Sequence, residues 1–183
     1  MKKIFFFSLF LSLFCRLWSI SIIETTFDNI IKKSNFIVRG NIRSEDFFTR
    51  DGHIWTRYEF LISEFIRGSG PSIIFFEQPG GRSGDIVTNV AGIRNFSPGE
   101  HLCLFLWADP KGSFQVMGFT EGCFELKEDA DGILRIKNFN SKKSVQNILF
   151  SRNKLGKEEI GVYEKFQQTR SWEDFKILIR DQE

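Results

Sequence analysis

Hydrophobic and polar positions alternate with a period of two through most of the middle of the chain, and this predicts strands. Phe36, Val38, Gly40 and Ile42 alternate with Ile37, Arg39, Asn41 and Arg43, the pattern of a half-buried strand. Asp51-Gly52 supplies a turn before a long run from Ile54 to Ile66 that places Tyr58, Phe60 and Ile62 on one face. The alternation slips between Leu61 and Phe65, which predicts a bulge or strong curvature. Gly68, Gly70 and Pro71 end the run, and Ser72 to Phe76, β-branched and aromatic, reads as the next strand. Pro79-Gly80-Gly81 closes it, a glycine-rich loop continues to Gly84, and Asp85 to Val90 reads as a further short strand. Pro98-Gly99 then turns the chain into His101 to Trp107. There Leu102, Leu104 and Leu106 alternate with Cys103, Phe105 and Trp107, so both faces are apolar and the strand is central. Asp109-Pro110-Lys111-Gly112 leads into Phe114 to Met117 as a hairpin. A second hairpin joins Cys123 to Lys127 with Ile133 to Lys137 across Asp129-Ala130-Asp131-Gly132, with Phe124 and Leu126 inward and Cys123 outward.

The period changes at both ends. Phe27, Ile30 and Ile31 fall at helical spacing behind Thr26, a capping residue, and predict a turn or two of helix. Beyond about residue 141 the stripes Val145, Ile148, Leu149 and Ile160, Tyr163, Phe166 are helical. Ser171-Trp172-Glu173-Asp174 fits a capping box, with Trp172, Phe175 and Ile179 following on one face. About seven short strands with helices only at the ends predict a mainly β domain, a small barrel or sandwich, over residues 22–140. Residues 141–183 form a helical extension packed on it.

At 183 residues the chain fits one domain. With 42% hydrophobic and 26% charged residues it can bury a core, which excludes disorder along its whole length. Residues 1–21 read as a secretory signal. Lys2 and Lys3 precede an apolar run from Ile4 to Cys15, 12 residues long. A bilayer span needs about 20, so the run matches a signal core, with Ser19 and Ser21 placed for cleavage before Ile22. Removing Lys2, Lys3 and Arg16 from the 25 basic residues leaves 22 against 23 acidic ones, a net charge of −1. That balance points to neither a nucleic-acid nor an anionic-membrane partner. The mature chain would be periplasmic or extracellular, with no stable membrane span. Lipidation of Cys15 is the alternative, though bulky Phe14 stands where such sites carry a small residue. Export also makes a disulfide between Cys103 and Cys123 the expectation.

The search for chemistry is mostly negative. His53 and His101 are the two histidines, too few for a zinc site built of several. No GxSxG, Walker, HExxH or CxxC motif is present. His101 and Cys103 lie two apart on one strand, yet a cysteine in so apolar a strand is a small core residue more often than a nucleophile. The loop Gly80, Gly81, Arg82, Ser83, Gly84, Asp85 is a candidate anion or ligand site, because successive glycines can aim N–H groups at one point. Glu59, Glu64, Glu77 and Glu100 do not single out a glycosidase pair. Trp55 and Trp107 are candidates for stacking on a ligand or for the core. The expectation is no catalytic residues, no metal and no cofactor, with ligand contacts at Gly80, Gly81, Arg82, Ser83 and Trp55.

Several stretches together resemble a group of small exported bacterial domains of uncharacterised role. They are KSNFIVRG (Lys33 to Gly40), RYEFLISEFIRG (Arg57 to Gly68), PGGRSGD (Pro79 to Asp85), SPGEHLCLFLW (Ser97 to Trp107), VMGFTEGCFEL (Val116 to Leu126) and SWEDFKILIR (Ser171 to Arg180). Genes of that group often lie beside, or are fused to, those of matrixin-type metalloproteases. Its strand layout is similar to the oligonucleotide/oligosaccharide-binding (OB) barrel and to the netrin-like variant in tissue inhibitors of metalloproteases. The resemblance implies a closed or partly open OB-like antiparallel barrel that acts with a secreted metalloprotease or another envelope protein. Those inhibitors chelate the protease zinc through an N-terminal cysteine, and cleavage before Ile22 leaves none here. The function expected is therefore an exported, non-enzymatic module that binds a protein or extracellular ligand. A protease accessory and an envelope lipoprotein anchored through Cys15 are the alternatives.

Overall fold

The computed structural model describes residues 27–108, 112–138 and 171–182. Residues 1–21, expected as a secretory signal, with Cys15 among them, Thr26, turn residues 109–111 and the stripes expected to be helical at 145–149 and 160–166 lie outside the described residues. The elements are α1 (Phe27–Lys33), β1 (Phe36–Arg50), β2 (His53–Arg67), β3 (Ile73–Pro79), β4 (Gly81–Ser83), β5 (Ile86–Thr88), β6 (His101–Ala108), β7 (Phe114–Val116), β8 (Cys123–Glu128), β9 (Leu134–Asn138) and α2 (Trp172–Arg180).

The barrel closes because β1 pairs on both edges. One edge meets β2, and the other carries Phe36 to Asn41 against Leu106 to His101 of β6. The ring runs β1-β2-β3-β7-β6 and returns to β1, with β3 and β7 parallel where Phe76 meets Phe114. First strand closing on fourth, and third parallel to fifth, is the connectivity of the OB barrel. The hairpin β4-β5 is a separate two-stranded sheet inserted between the third and fourth ring strands.

Tight closure demands a strongly coiled first hairpin. Asp51 and Gly52 both take positive φ, 52° and 76°, which suits the two-residue turn between twisted strands. The β1–β2 register then slips three times, leaving Arg43, Ser63 and Ile66 unpaired within it. Ser63 lies where the sequence pattern predicts a bulge, and each slip adds twist and bend. At Gly40, β1 crosses so close to β2 that a Cβ would stand 2.1 Å from the Leu61 carbonyl oxygen.

Two cores share β6. Leu102, Leu104 and Leu106 point into the barrel, where Tyr58, Phe60, Phe76 and Phe96 fill the axis in edge-on and stacked contacts. Cys103 and Phe105 point the other way, into a layer closed by α1, α2, β8 and β9. There Phe27 meets Phe105, Phe124 and Phe175 with ring centroids 5.9, 5.8 and 6.0 Å away. Cys123 is buried, not outward: it pairs with Leu104 and faces the barrel core, while Phe124 faces the helix layer. Simple alternation misses this because β8 is covered on both sides at that point.

Helix α2 is held by a cap and by one carboxylate. The Ser171 hydroxyl oxygen accepts from the Asp174 N–H at 3.2 Å, as the capping motif predicts. Glu64, on β2, accepts from Trp172 Nε1 at 3.2 Å and from Lys176 Nζ at 3.1 Å, and Arg39 lies 3.5 Å away. Burial pushes the Glu64 carboxyl up, but the hydrogen bonds from Lys176 and Trp172 outweigh it and hold the group below its ordinary range. Among the described residues, no helix is long and apolar enough to cross a membrane.

Two tests follow from this packing. Gly40→Ala should lower stability by about 3 kcal/mol in urea titrations, since the added methyl meets backbone and cannot be accommodated by rotamer change. Folding lowers the Glu64 pKa, so its ionised form stabilises the fold above the ordinary carboxylate value and that gain disappears as pH falls through the folded value. The wild-type advantage over Glu64→Gln should thus be about 1–2 kcal/mol at neutral pH and shrink progressively as the pH falls below the ordinary carboxylate range in the same titrations.

Candidate functional site

Among the described residues, apolar side chains fill the barrel axis. Its apolar dimple, lined by Val38, Ile62, Ile74, Leu106 and Phe114 among others, encloses ≈ 10 Å³, about the space of one water molecule. Outside the barrel, the exposed outer face of β1-β2-β3 carries a developed set of charged and aromatic side chains. Alternation sends Ser44, Asp46, Phe48 and Arg50 of β1, Trp55, Arg57, Glu59 and Leu61 of β2, and Phe75 and Glu77 of β3 to this face.

Two groups of side chains occupy it. At one end the Arg50 guanidinium lies 3.8 Å from the centroid of the Trp55 ring. Glu77 ties this end together, accepting from Arg50 Nη1 at 2.8 Å and from Arg57 Nε and Nη2 at 3.0 and 2.7 Å. Burial raises the Glu77 pKa, and the bonds from Arg57 and Arg50 more than reverse that, leaving it lowered. Toward the other end Phe75 is 53% and Leu61 42% exposed, one register step apart beside Glu59. Glu59 is held by Arg43 at 3.2 Å and by the Ser44 hydroxyl at 3.0 Å. Arg43, Arg50 and Arg57 balance Asp46, Glu59 and Glu77, so the face has no net charge.

The residues singled out from sequence do not converge. Trp55 is on the outer face, but Arg50 already stacks on it. Thr56, the next residue, faces inward, and it is Thr56 that Gly80 and Gly81 touch: its hydroxyl donates to the Gly80 carbonyl at 2.7 Å. The glycine loop and Trp55 are therefore on opposite sides of the sheet. The loop itself is mostly hairpin. Gly81 to Ser83 pair with Thr88 to Ile86, and the Gly80 N–H is spent on the Ile54 carbonyl at 2.8 Å, while Arg82 and Ser83 are exposed. Trp107, at the end of β6, is 37% exposed beside Gln115.

The disulfide expected from export is replaced by two free, buried thiols. Cys103 pairs with Phe124 and Leu104 with Cys123, so the two cysteines are offset by one residue and point to opposite faces of the sheet. Neither thiol is activated. Burial pushes both far above the ordinary thiol range. Burial, and then Arg39, lower the His101 pKa, which disfavours the imidazolium that would stabilise a thiolate. Among the described residues, no three His, Cys, Asp or Glu side chains are grouped to hold a metal.

Phe75 and Gln78 escape the sequence reading. Ile73-Ile74-Phe75-Phe76 is apolar on both alternating sets, and that signal marks either a covered strand or an exposed apolar face. Gln78 gives no sequence signal at all. No family model, no curated protein and no solved structure matches this chain.

Iodoacetamide should leave Cys103 and Cys123 unmodified in the native protein and alkylate both after denaturation without reductant, as read by mass spectrometry of their peptides. A linked Cys103–Cys123 peptide in the unreduced digest would contradict the opposed arrangement.

Proposed function

We propose that this chain is an exported, non-enzymatic β-barrel module that binds a protein partner through the outer face of β1-β2-β3. The observation that carries the reading is exposed Phe75 and Leu61 beside an ordered arginine–aromatic cluster on a face of zero net charge. Aromatic and arginine side chains already held in place are what a protein interface uses as anchors, since little entropy is lost when they are covered. A nucleic acid would ask for unpaired cations, and Arg43, Arg50 and Arg57 are each tied to a carboxylate on the same face. Lys2, Lys3 and the apolar run behind them support export, and a secreted metalloprotease or another envelope protein is the class of partner proposed.

The test is site-specific photocrosslinking in the native exported fraction, with p-benzoylphenylalanine at position 75 and, as control, at Lys127 on the exposed part of β8. Position 75 should give a discrete protein adduct that Leu61→Glu abolishes. Equal adducts at both positions, or none at 75, would overturn the surface assignment. The identity of the adduct decides between a protease and another envelope protein, and lipid found on Cys15 of the mature chain would place the module on a membrane.

A further inference from the structure

The inner side of β3 holds a second feature, independent of the outer face. Gln78 is 4% exposed, and among the described residues neither its Nε2 nor its Oε1 has a hydrogen-bond partner. Native proteins rarely bury an amide this way, because losing water without gaining a partner is strongly unfavourable. Gln78 stands in register with Thr56 of β2, and the base of the β4-β5 hairpin lies over Thr56. That hairpin is not part of the barrel sheet. It joins β3 through Gly80 and Gly81, at φ 105° and 129°, and its base is latched by the Thr56 hydroxyl on the Gly80 carbonyl, beside the Gly80 N–H on the Ile54 carbonyl. Gly81 sits so close that a Cβ would come 2.3 Å from Thr56 Oγ1. Beyond it, residues 82 to 87 are exposed.

We propose that the Gln78 carboxamide is the recognition group of a binding site for a neutral carboxamide, reached when the β4-β5 hairpin lifts about Gly80-Gly81. The Nε2 group offers two donors and Oε1 an acceptor, and a second amide offers the reciprocal carbonyl and N–H, so the two pair through two hydrogen bonds. A carboxylate of the same shape lacks the donor for Oε1 and carries its charge out of water, which excludes it. A side-chain amide and a peptide group share the required chemistry, and a lifted hairpin gives an extended segment room to enter. The latch sets the affinity: the less the closed hairpin is populated, the tighter the apparent binding.

The experiment follows the Gln78 side-chain Nε2–H resonances in ¹⁵N-labelled protein during titration with acetamide, N-methylacetamide and acetate. The two amides should produce saturable shifts and acetate none, and the tighter of the two identifies a side-chain amide or a peptide group as the natural source. Gln78→Met, similar in volume, should abolish the saturable response throughout the protein. Thr56→Val should speed hydrogen exchange at residues 80–88 alone and tighten apparent binding by about fivefold, the population change expected from one lost hydrogen bond. Should that variant not fold, Gly81→Ala, whose methyl displaces the hairpin, takes its place. Unmoved Gln78 signals in both wild type and the unlatched variant, an equal response to acetate, or a response that survives Gln78→Met would overturn the proposal.

Discussion

Strand β6 has no polar face to give to water, and the rest of the fold is arranged to cover it on both sides. Leu102, Leu104 and Leu106 need a closed barrel around them, and Cys103 and Phe105 need a second layer outside it. Neither requirement is met by a single antiparallel sheet. The ring closes through β1–β6 pairing on one side, and α1, α2 and the β8-β9 hairpin close over the other. The hydrophobic effect is non-directional, so direction is supplied by features that bend β1 and β2: three register slips and the close crossing at Gly40.

That arrangement fixes where function can reside. Among the described residues, four aromatic side chains fill the barrel axis and a second apolar cluster fills the helix layer, so the exposed faces carry most of the accessible side-chain chemistry. The buried thiols fit the same logic. Each is a small filler in a different core, pushed far from ionisation, and each lies on the side of the sheet away from the other. Polar chemistry is organised on the outer face of β1-β2-β3, around Glu64 beneath α2 and, inside, at Gln78 beside the hairpin latch.

Much of the fold was legible because its signals are local or periodic. The doubly apolar run from Leu102 to Phe105 announced a shared central strand, Asp51-Gly52 and Asp129 to Gly132 announced their turns, and Ser171 to Asp174 announced the cap of α2. The candidate site was less legible because it depends on which residues are brought together across strands. Trp55 and Gly80 were both visible in the sequence, but the fact that Thr56 and not Trp55 meets the glycines follows from register and facing, which alternation alone does not assign between distant strands. Cys123 shows the same limit: its burial comes from the barrel core covering the start of β8 on the face opposite Phe124. Phe75 was readable only as apolar, and whether such a residue is covered is decided by which elements pack on its strand.

The central claim is a closed barrel with β6 between two cores, and cross-strand nuclear Overhauser contacts test it most directly. A closed ring places Val38 opposite Leu104 and Gly40 opposite Leu102, and brings Phe76 beside Phe114 in a parallel pair. Backbone contacts at all three places, with β1 also contacting β2, are the expected result. Contacts from β1 to β2 alone, with none to β6, would mean an open sheet and would contradict the account.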